Sequence, residues 1–252
     1  MHNVDRFRKF KALHVPGDPL VLYNIWDAGG AKAVAQAGAS AIATSSWSIA
    51  AAHGFPDGEE MPLSFVLMIV ERIAQSSNLP LTVDFEGGYA EDPLHVATNV
   101  RRVIEVGVTG INFEDQVVKG PALYTIPDQV ARLKAVRKAA NDTGRALFIN
   151  ARTDVFLKAA SGVSHADLVD EALARGRAYA EAGADGFFIP GLTDATLIAE
   201  ICRQSSLPVN IMMTGELNSI PALARLGVSR VSYGPMPYLV AIEDLTARFE
   251  GI

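Results

Sequence analysis

The chain has 252 residues, 49% of them hydrophobic and 20% charged, with a net charge of −6 and a single cysteine. That is enough apolar residue for one large packed domain. The acidic balance and the lack of any Lys/Arg-rich run exclude nucleic acid and anionic membrane as main partners. One cysteine excludes an intrachain disulfide framework and a multi-cysteine zinc site.

No apolar h-region follows Met1 and no apolar run is long enough to span a bilayer, so the expected location is cytoplasmic. No linker or low-complexity stretch divides the chain, and 1–252 is read as one domain.

Residues 2–12 place Val4, Phe7, Phe10 and Ala12 among Asp5, Arg6, Arg8, Lys9 and Lys11, the pattern of a short amphipathic helix. Strands and helices then alternate. Strands are predicted at 20–26, 40–45, 81–86, 110–115, 146–152, 186–190, 209–213 and 230–233. Helices are predicted at 28–37, 62–75, 92–106, 127–141, 165–182, 193–204, 220–226 and 237–249. Strict alternation indicates α/β with a parallel sheet.

The segments Ala37-Gly38-Ala39, Val106-Gly107-Val108, Ala182-Gly183-Ala184 and Leu226-Gly227-Val228 each end a helix and launch strand two, four, six or eight. Glycine suits a left-handed cap just past a helix. Strands three and seven follow Ser76-Ser77-Asn78-Leu79-Pro80 and Ser205-Ser206-Leu207-Pro208 instead. Two alternating connections imply a two-strand, two-helix unit repeated four times, hence a (β/α)8 TIM-type barrel with an N-terminal helix. Neither G-x-G-x-x-G nor a Walker A sequence occurs, so a dinucleotide or nucleotide site has no support.

Barrel chemistry sits where strands end. Leu81-Thr82-Val83-Asp84-Phe85-Glu86-Gly87-Gly88-Tyr89 runs from apolar residues into two carboxylates and two glycines. Strand side chains alternate sides, so Asp84 and Glu86, two apart, point to one face. Strand four ends Asn112-Phe113-Glu114-Asp115-Gln116, strand five Asn150-Ala151-Arg152-Thr153-Asp154, and strand seven offers Asn210. Clustered carboxylates without His or Cys suit Mg2+, and a nearby guanidinium suits a substrate carboxylate. The Ser45-Ser46-Trp47-Ser48 turn adds hydroxyls and backbone N–H groups. Each residue also has a plainer reading: Arg152 as an ion-pair partner of Asp84 or Glu114, Tyr89 as packing, His53 as surface, Cys202 as helix filler.

Four motifs in register, Thr44-Ser45-Ser46-Trp47-Ser48 with Gly54-Phe55-Pro56-Asp57, Asp84-Phe85-Glu86-Gly87-Gly88-Tyr89, Phe113-Glu114-Asp115-Gln116 and Ala151-Arg152-Thr153-Asp154, resemble the isocitrate lyase/phosphoenolpyruvate mutase superfamily from about residue 20 to 235. The resemblance implies a barrel that binds Mg2+, with Mn2+ as the alternative, and a 2-oxo acid or its enolate. It implies Asp84 as direct metal ligand, with Asp57, Glu86 and Glu114 holding the metal's waters. It implies Ser45, Ser46, Trp47 and Arg152 as binders of the pyruvyl carboxylate, with Asn210 a weaker match.

Family lyases carry Lys-Lys-Cys-Gly-His in the loop after strand four; here Gln116-Val117-Val118-Lys119-Gly120-Pro121-Ala122-Leu123-Tyr124 has no cysteine. Phosphonate-handling members carry a His on strand six; here Pro190 stands there. What remains is a Mg2+-dependent lyase or decarboxylase for a small 2-oxo or 2-hydroxy (di)carboxylate, with Arg152, Lys119 and Tyr124 as catalytic candidates. The alternatives are P–C chemistry, as in phosphonomutase or phosphonopyruvate hydrolase, and a non-catalytic 2-oxo acid binder. The resemblance also implies a homodimer or homotetramer. A chain ending with its eighth helix is expected to lack the longer C-terminal exchange element.

Overall fold

The computed structural model describes residues 3–215 and 217–252. Eight strands, β1 Leu20–Leu22, β2 Ile42–Ala43, β3 Leu81–Asp84, β4 Gly110–Glu114, β5 Phe148–Arg152, β6 Gly186–Phe188, β7 Val209–Met212 and β8 Arg230–Ser232, form one parallel sheet. The ladders run in the order β1-β8-β7-β6-β5-β4-β3-β2. Between β1 and β2 a single parallel bridge joins Ile25 to Thr44, with Ile25 N donating to Ala43 O at 2.8 Å. That bridge closes the ring into a (β/α)8 barrel.

The helices are α1 Asn3–Ala12, α2 Ala28–Gln36, α3 Ser46–Ala52, α4 Leu63–Ser76, α5 Pro93–Glu105, α6 Ile126–Asp142, α7 Val169–Glu181, α8 Ala195–Gln204, α9 Ile220–Arg225 and α10 Met236–Glu250. A 3-10 turn at His165–Leu168 leads into α7. The repeated glycine caps are as expected: Gly38, Gly107, Gly183 and Gly227 have φ of +97°, +97°, +99° and +87°. Only glycine takes that conformation without a Cβ penalty.

Strand residues alternate between the barrel interior and the helix layer. The lowest interior layer, Phe10, Leu20, Leu22, Ala41, Ala43 and Phe148, is apolar. Phe10 of α1 plugs it, edge-on to Phe148 at 5.2 Å between ring centroids. The predicted N-terminal helix is therefore a barrel plug.

Two expectations change. Strand β3 stops at Asp84 instead of reaching 86, and Ser46–Ala52 is a helix where the sequence predicts a turn. At the other end of the chain, α10 buries only Pro237 and exposes Leu239, Val240, Ile242, Leu245 and Phe249. Beside β1 a broad groove lined by Val15, Val21, Tyr23 and Val34 leaves Val21 and Tyr23 exposed.

Candidate active site

Ser45 caps α3, its Oγ accepting from Ser48 N at 3.3 Å. The helix start then aims Ser46 at β3. Ser46 N and Oγ both donate to Asp84 Oδ2, at 3.3 and 2.9 Å. Asn112 Nδ2 on β4 donates to Asp84 Oδ1 at 3.3 Å, and Asp84 N donates to Thr44 Oγ1 at 3.1 Å. Both oxygens of Asp84 are thus fixed, Oδ2 by the start of α3 and Oδ1 by β4. A carboxylate accepting several such bonds is pre-set as a ligand.

Past Asp84 the chain leaves strand geometry. Glu86 has φ +49°, Tyr89 +57° and Glu59, in the loop before α4, +60°. Left-handed backbone in non-glycine residues stores strain, and such residues gather at functional sites. Their side chains interlock: Glu86 Oε2 accepts from Glu59 N at 2.9 Å, Glu86 Oε1 from the Tyr89 hydroxyl at 3.2 Å, and Glu59 Oε1 from Tyr89 N at 2.7 Å. Arg132 of α6 ties this loop down by donating to the carbonyls of Gly87, Ala90 and Glu91. Asp84, Glu86, Glu59 and Ser46 consequently line one narrow cavity. Glu86 reaches it through its left-handed backbone and not by strand alternation, although its carbonyl still accepts from Glu114 N at 3.0 Å.

The electrostatics are those of crowded anions. Burial, then repulsion by Asp57, Asp84 and Glu59, pushes the Glu86 carboxyl up to about 8. Burial and Asp84 raise Asp57, opposed by the Gly58 N–H and by Arg152. Burial also raises Glu59. Among the described residues no three His, Cys, Asp or Glu side chains converge closely enough to hold an ion by themselves. The set fits a hard cation that takes one carboxylate, Asp84, directly and completes its shell with water and substrate. Mg2+ prefers that arrangement, and the absence of N or S donors in the set disfavours zinc.

Arg152 ends β5 between two acids. Its Nη1 lies 3.0 Å from Glu114 Oε2, and its Nε and Nη2 donate to Asp154 at 2.6 and 2.8 Å. The ion pair considered for Arg152 is present. Asp154 takes the Nε and one Nη2 N–H group, Glu114 pairs with Nη1, and the remaining N–H groups are left for an anion. Burial holds the Glu114 carboxyl well above its ordinary range, opposed chiefly by Arg152.

The segment after β4 forms a small hairpin, with a Gln116–Leu123 bridge and Val117 N donating to Ala122 O at 3.0 Å. Lys119 lies 3.9 Å from Glu60 at the rim. Tyr124 stacks on the Arg132 guanidinium at 4.2 Å. Both border a cleft shared with Glu59, Gly87 and Tyr89. Arg175 of α7 holds the hairpin base, donating to Tyr124 O at 3.0 Å and to buried Asp115 at 3.1 Å.

The remaining sequence candidates divide. Ser46 is turned onto Asp84, and Trp47 leans edge-on to Tyr238 of α10 at 6.0 Å. Asn210 is 1% exposed. Its Nδ2 donates to the Ile211 and Arg230 carbonyls and to Ser232 Oγ, and its Oδ1 accepts from Asn150. That amide is engaged inside the barrel by β5, β7 and β8. His53 is tied to Ile49 O at 2.8 Å. Glu59 and Arg132 were not found by sequence reasoning. The acidic Asp57-Gly58-Glu59-Glu60 run was the only signal for the first.

The sequence model described as phosphoenolpyruvate phosphomutase matches residues 10–252. The chain is 30% identical over 210 residues to the 2-methylisocitrate lyase of Escherichia coli K12, covering 80% of this chain and 68% of that protein. It is 32% identical over 198 residues to the oxaloacetate decarboxylase of Ectopseudomonas mendocina, covering 75% and 64%. A crystal structure from Burkholderia cenocepacia J2315, described only provisionally as a phosphonomutase, superposes with a TM-score of 0.96 at 46% identity, covering 99% of both chains.

Proposed function

The chain belongs to the phosphoenolpyruvate phosphomutase family, and on that premise we propose that it is a Mg2+-dependent carbon–carbon lyase or decarboxylase for a small 2-oxo or 2-hydroxy (di)carboxylate. The observation that carries this is Asp84, fixed on both oxygens by Ser46 and Asn112 among buried acids, with Arg152 held 3.0 Å from Glu114 on the neighbouring strand. Mg2+ or Mn2+, held by Asp84 and surrounded by Asp57, Glu86 and Glu114, would supply positive charge beside the substrate's carboxylate and 2-oxygen.

This chain's own residues supply the rest. The remaining N–H groups of Arg152 bind the carboxylate of the pyruvyl unit and stabilise charge growing on its 2-oxygen. In an oxaloacetate-type substrate the C3–C4 bond breaks, carbon dioxide leaves, and its electron pair becomes the enolate of pyruvate. The hairpin returns a proton to C3. Burial raises the Tyr124 phenol, so it stays protonated at neutral pH. Lys119, in the same cleft, is the other donor within reach of a closing hairpin. No cysteine is required for this sequence of events, which suits a loop without one.

The relatives support the reading at different depths. An oxaloacetate decarboxylase and a 2-methylisocitrate lyase both cleave carbon–carbon bonds. The Burkholderia structure's description favours P–C chemistry instead. Pro190, two residues past β6, where the resemblance places a histidine in the phosphonate-handling members, weighs against that. Offering oxaloacetate and phosphonopyruvate separately with Mg2+ decides. Pyruvate from oxaloacetate, abolished in Asp84→Ala, is expected. Phosphate or phosphoenolpyruvate from phosphonopyruvate, without oxaloacetate turnover, reverses the order. Mg2+-dependent oxalate binding without any turnover points to a binder. We also assign a second copy of this chain as its partner, through the exposed face of α10.

A further inference from the structure

Arg230 opens β8 and points into the barrel, where it is 1% exposed. Its Nη2 donates to Asn112 Oδ1 at 3.0 Å. Asn150 Nδ2 donates to the same oxygen at 2.9 Å. Two donors on Oδ1 dictate the orientation of the Asn112 amide. Its Nδ2 must then face away from them, and it meets Asp84 Oδ1 at 3.3 Å. Arg230, Asn112 and Asp84 are one directed chain across the barrel.

The remainder of the guanidinium has no obvious structural use. Nε and Nη1 have no partner among the described residues. Burial lowers the Arg230 pKa to about 9, opposed by the charge of Asp84. A buried guanidinium with one protein hydrogen bond is costly, and an apolar side chain of similar volume would be more stable there. Its retention needs a reason other than packing.

We propose that Arg230 is a positioning residue that acts through Asn112 to orient the Asp84 carboxylate for its cation. This rests on Asp84 being the metal-binding group of the proposed function. The sign of the effect separates orientation from charge. Removing a positive charge near a divalent cation tightens its binding by Coulomb's law. Losing the orientation of the ligand loosens it, typically tenfold or more for a group hydrogen-bonded behind a metal ligand.

The test is Mn2+ binding to the full chain, read from the electron paramagnetic resonance of free Mn2+, with thermal unfolding as a check on folding. Wild type binds and Asp84→Ala does not. Arg230→Met is expected to weaken Mn2+ about tenfold, as is Asn112→Ala. Arg230→Met is expected to cost nothing further in the Asn112→Ala background, because both changes cut the same chain. If Arg230→Met does not fold, Arg230→Gln, polar but too short to reach Asn112, carries the same expectation. Unchanged or tighter Mn2+ binding, or additive losses, overturns the proposal while Asp84→Ala still upholds the metal site. Failure of wild type to bind Mn2+ overturns both.

Discussion

Val118 of the hairpin rests against Gly87, 2.7 Å from where a Cβ on Gly87 would stand. The hairpin after β4 therefore sits on the loop that carries Glu86, and a glycine makes the contact distance available. Gly87 does not have positive φ, so alanine is excluded by the neighbour and not by its own backbone. Gly87→Ala is expected to lift the hairpin and lower kcat/KM by about 100-fold, the scale of an ångström-level misplacement. Gly87→Ala combined with Val118→Ala returns the space and is expected to recover most of the activity. Steady-state kinetics on the two variants checks it, and loss of activity without recovery in the pair rules the contact out.

The acid cluster predicts an unusual response to pH. Glu86 titrates at about 8 in the fold against 4.5 ordinarily. Between those values the folded chain holds a proton that the unfolded chain has released. Stability then falls as pH rises, because the folded state binds more protons. Metal-free protein is expected to show a falling thermal midpoint from pH 5 to pH 8. Added Mg2+ is expected to raise the midpoint more at pH 8 than at pH 5.5, since binding must displace that proton. Differential scanning fluorimetry over pH, with and without Mg2+, measures both slopes. A rising midpoint in the absence of metal contradicts the assignment.

Arg152 offers a sharper test of chemistry. Its planar fork meets Glu114 and Asp154 at once and keeps N–H groups over. Lysine keeps the charge but cannot satisfy both acids and a substrate carboxylate together. Arg152→Lys is expected to lose about 10²- to 10³-fold in kcat, the usual consequence of removing a donor from developing charge. The loss should exceed the change in thermal stability, which circular dichroism would follow. A variant with near-normal kcat removes Arg152 from the reaction.

Much of this was legible from the chain. The alternation of elements, the four glycine caps and the carboxylates at strand ends follow from local pattern, and local pattern is what sequence carries. Three features were not. Ser46–Ala52 reads as a turn because Ser45-Ser46-Trp47-Ser48 is polar, yet Ser45 is a helix cap and Ile49 to Ala52 continue the helix. Glu59 enters the site through a left-handed backbone that only its neighbours impose. Asn112 and Arg230, 118 residues apart, meet at 3.0 Å only because the barrel closes. The partners of Asn210 are of the same kind: its amide meets β5 and β8 through barrel closure and not through local pattern.

The last helix gives the final prediction. A fifteen-residue helix that buries one residue of its own chain, while exposing Leu239, Val240, Ile242, Leu245 and Phe249, presents apolar surface that a monomer leaves in water. The groove beside β1 exposes Val15, Val21 and Tyr23 in the same chain. Helix and groove are complementary in character, and a second copy supplies both at once through a two-fold axis. The protein is expected to run in multiples of its 26.9 kDa mass by light scattering. Leu245→Glu is expected to shift it toward the single chain, since burying that charge without a partner is unfavourable. Trp26 and Trp47 both touch Tyr238 near the start of α10, at 5.1 and 6.0 Å between rings. Dissociation should therefore also change tryptophan fluorescence and raise KM. A wild type that is monomeric at micromolar concentration, with full activity, removes α10 from any role between copies.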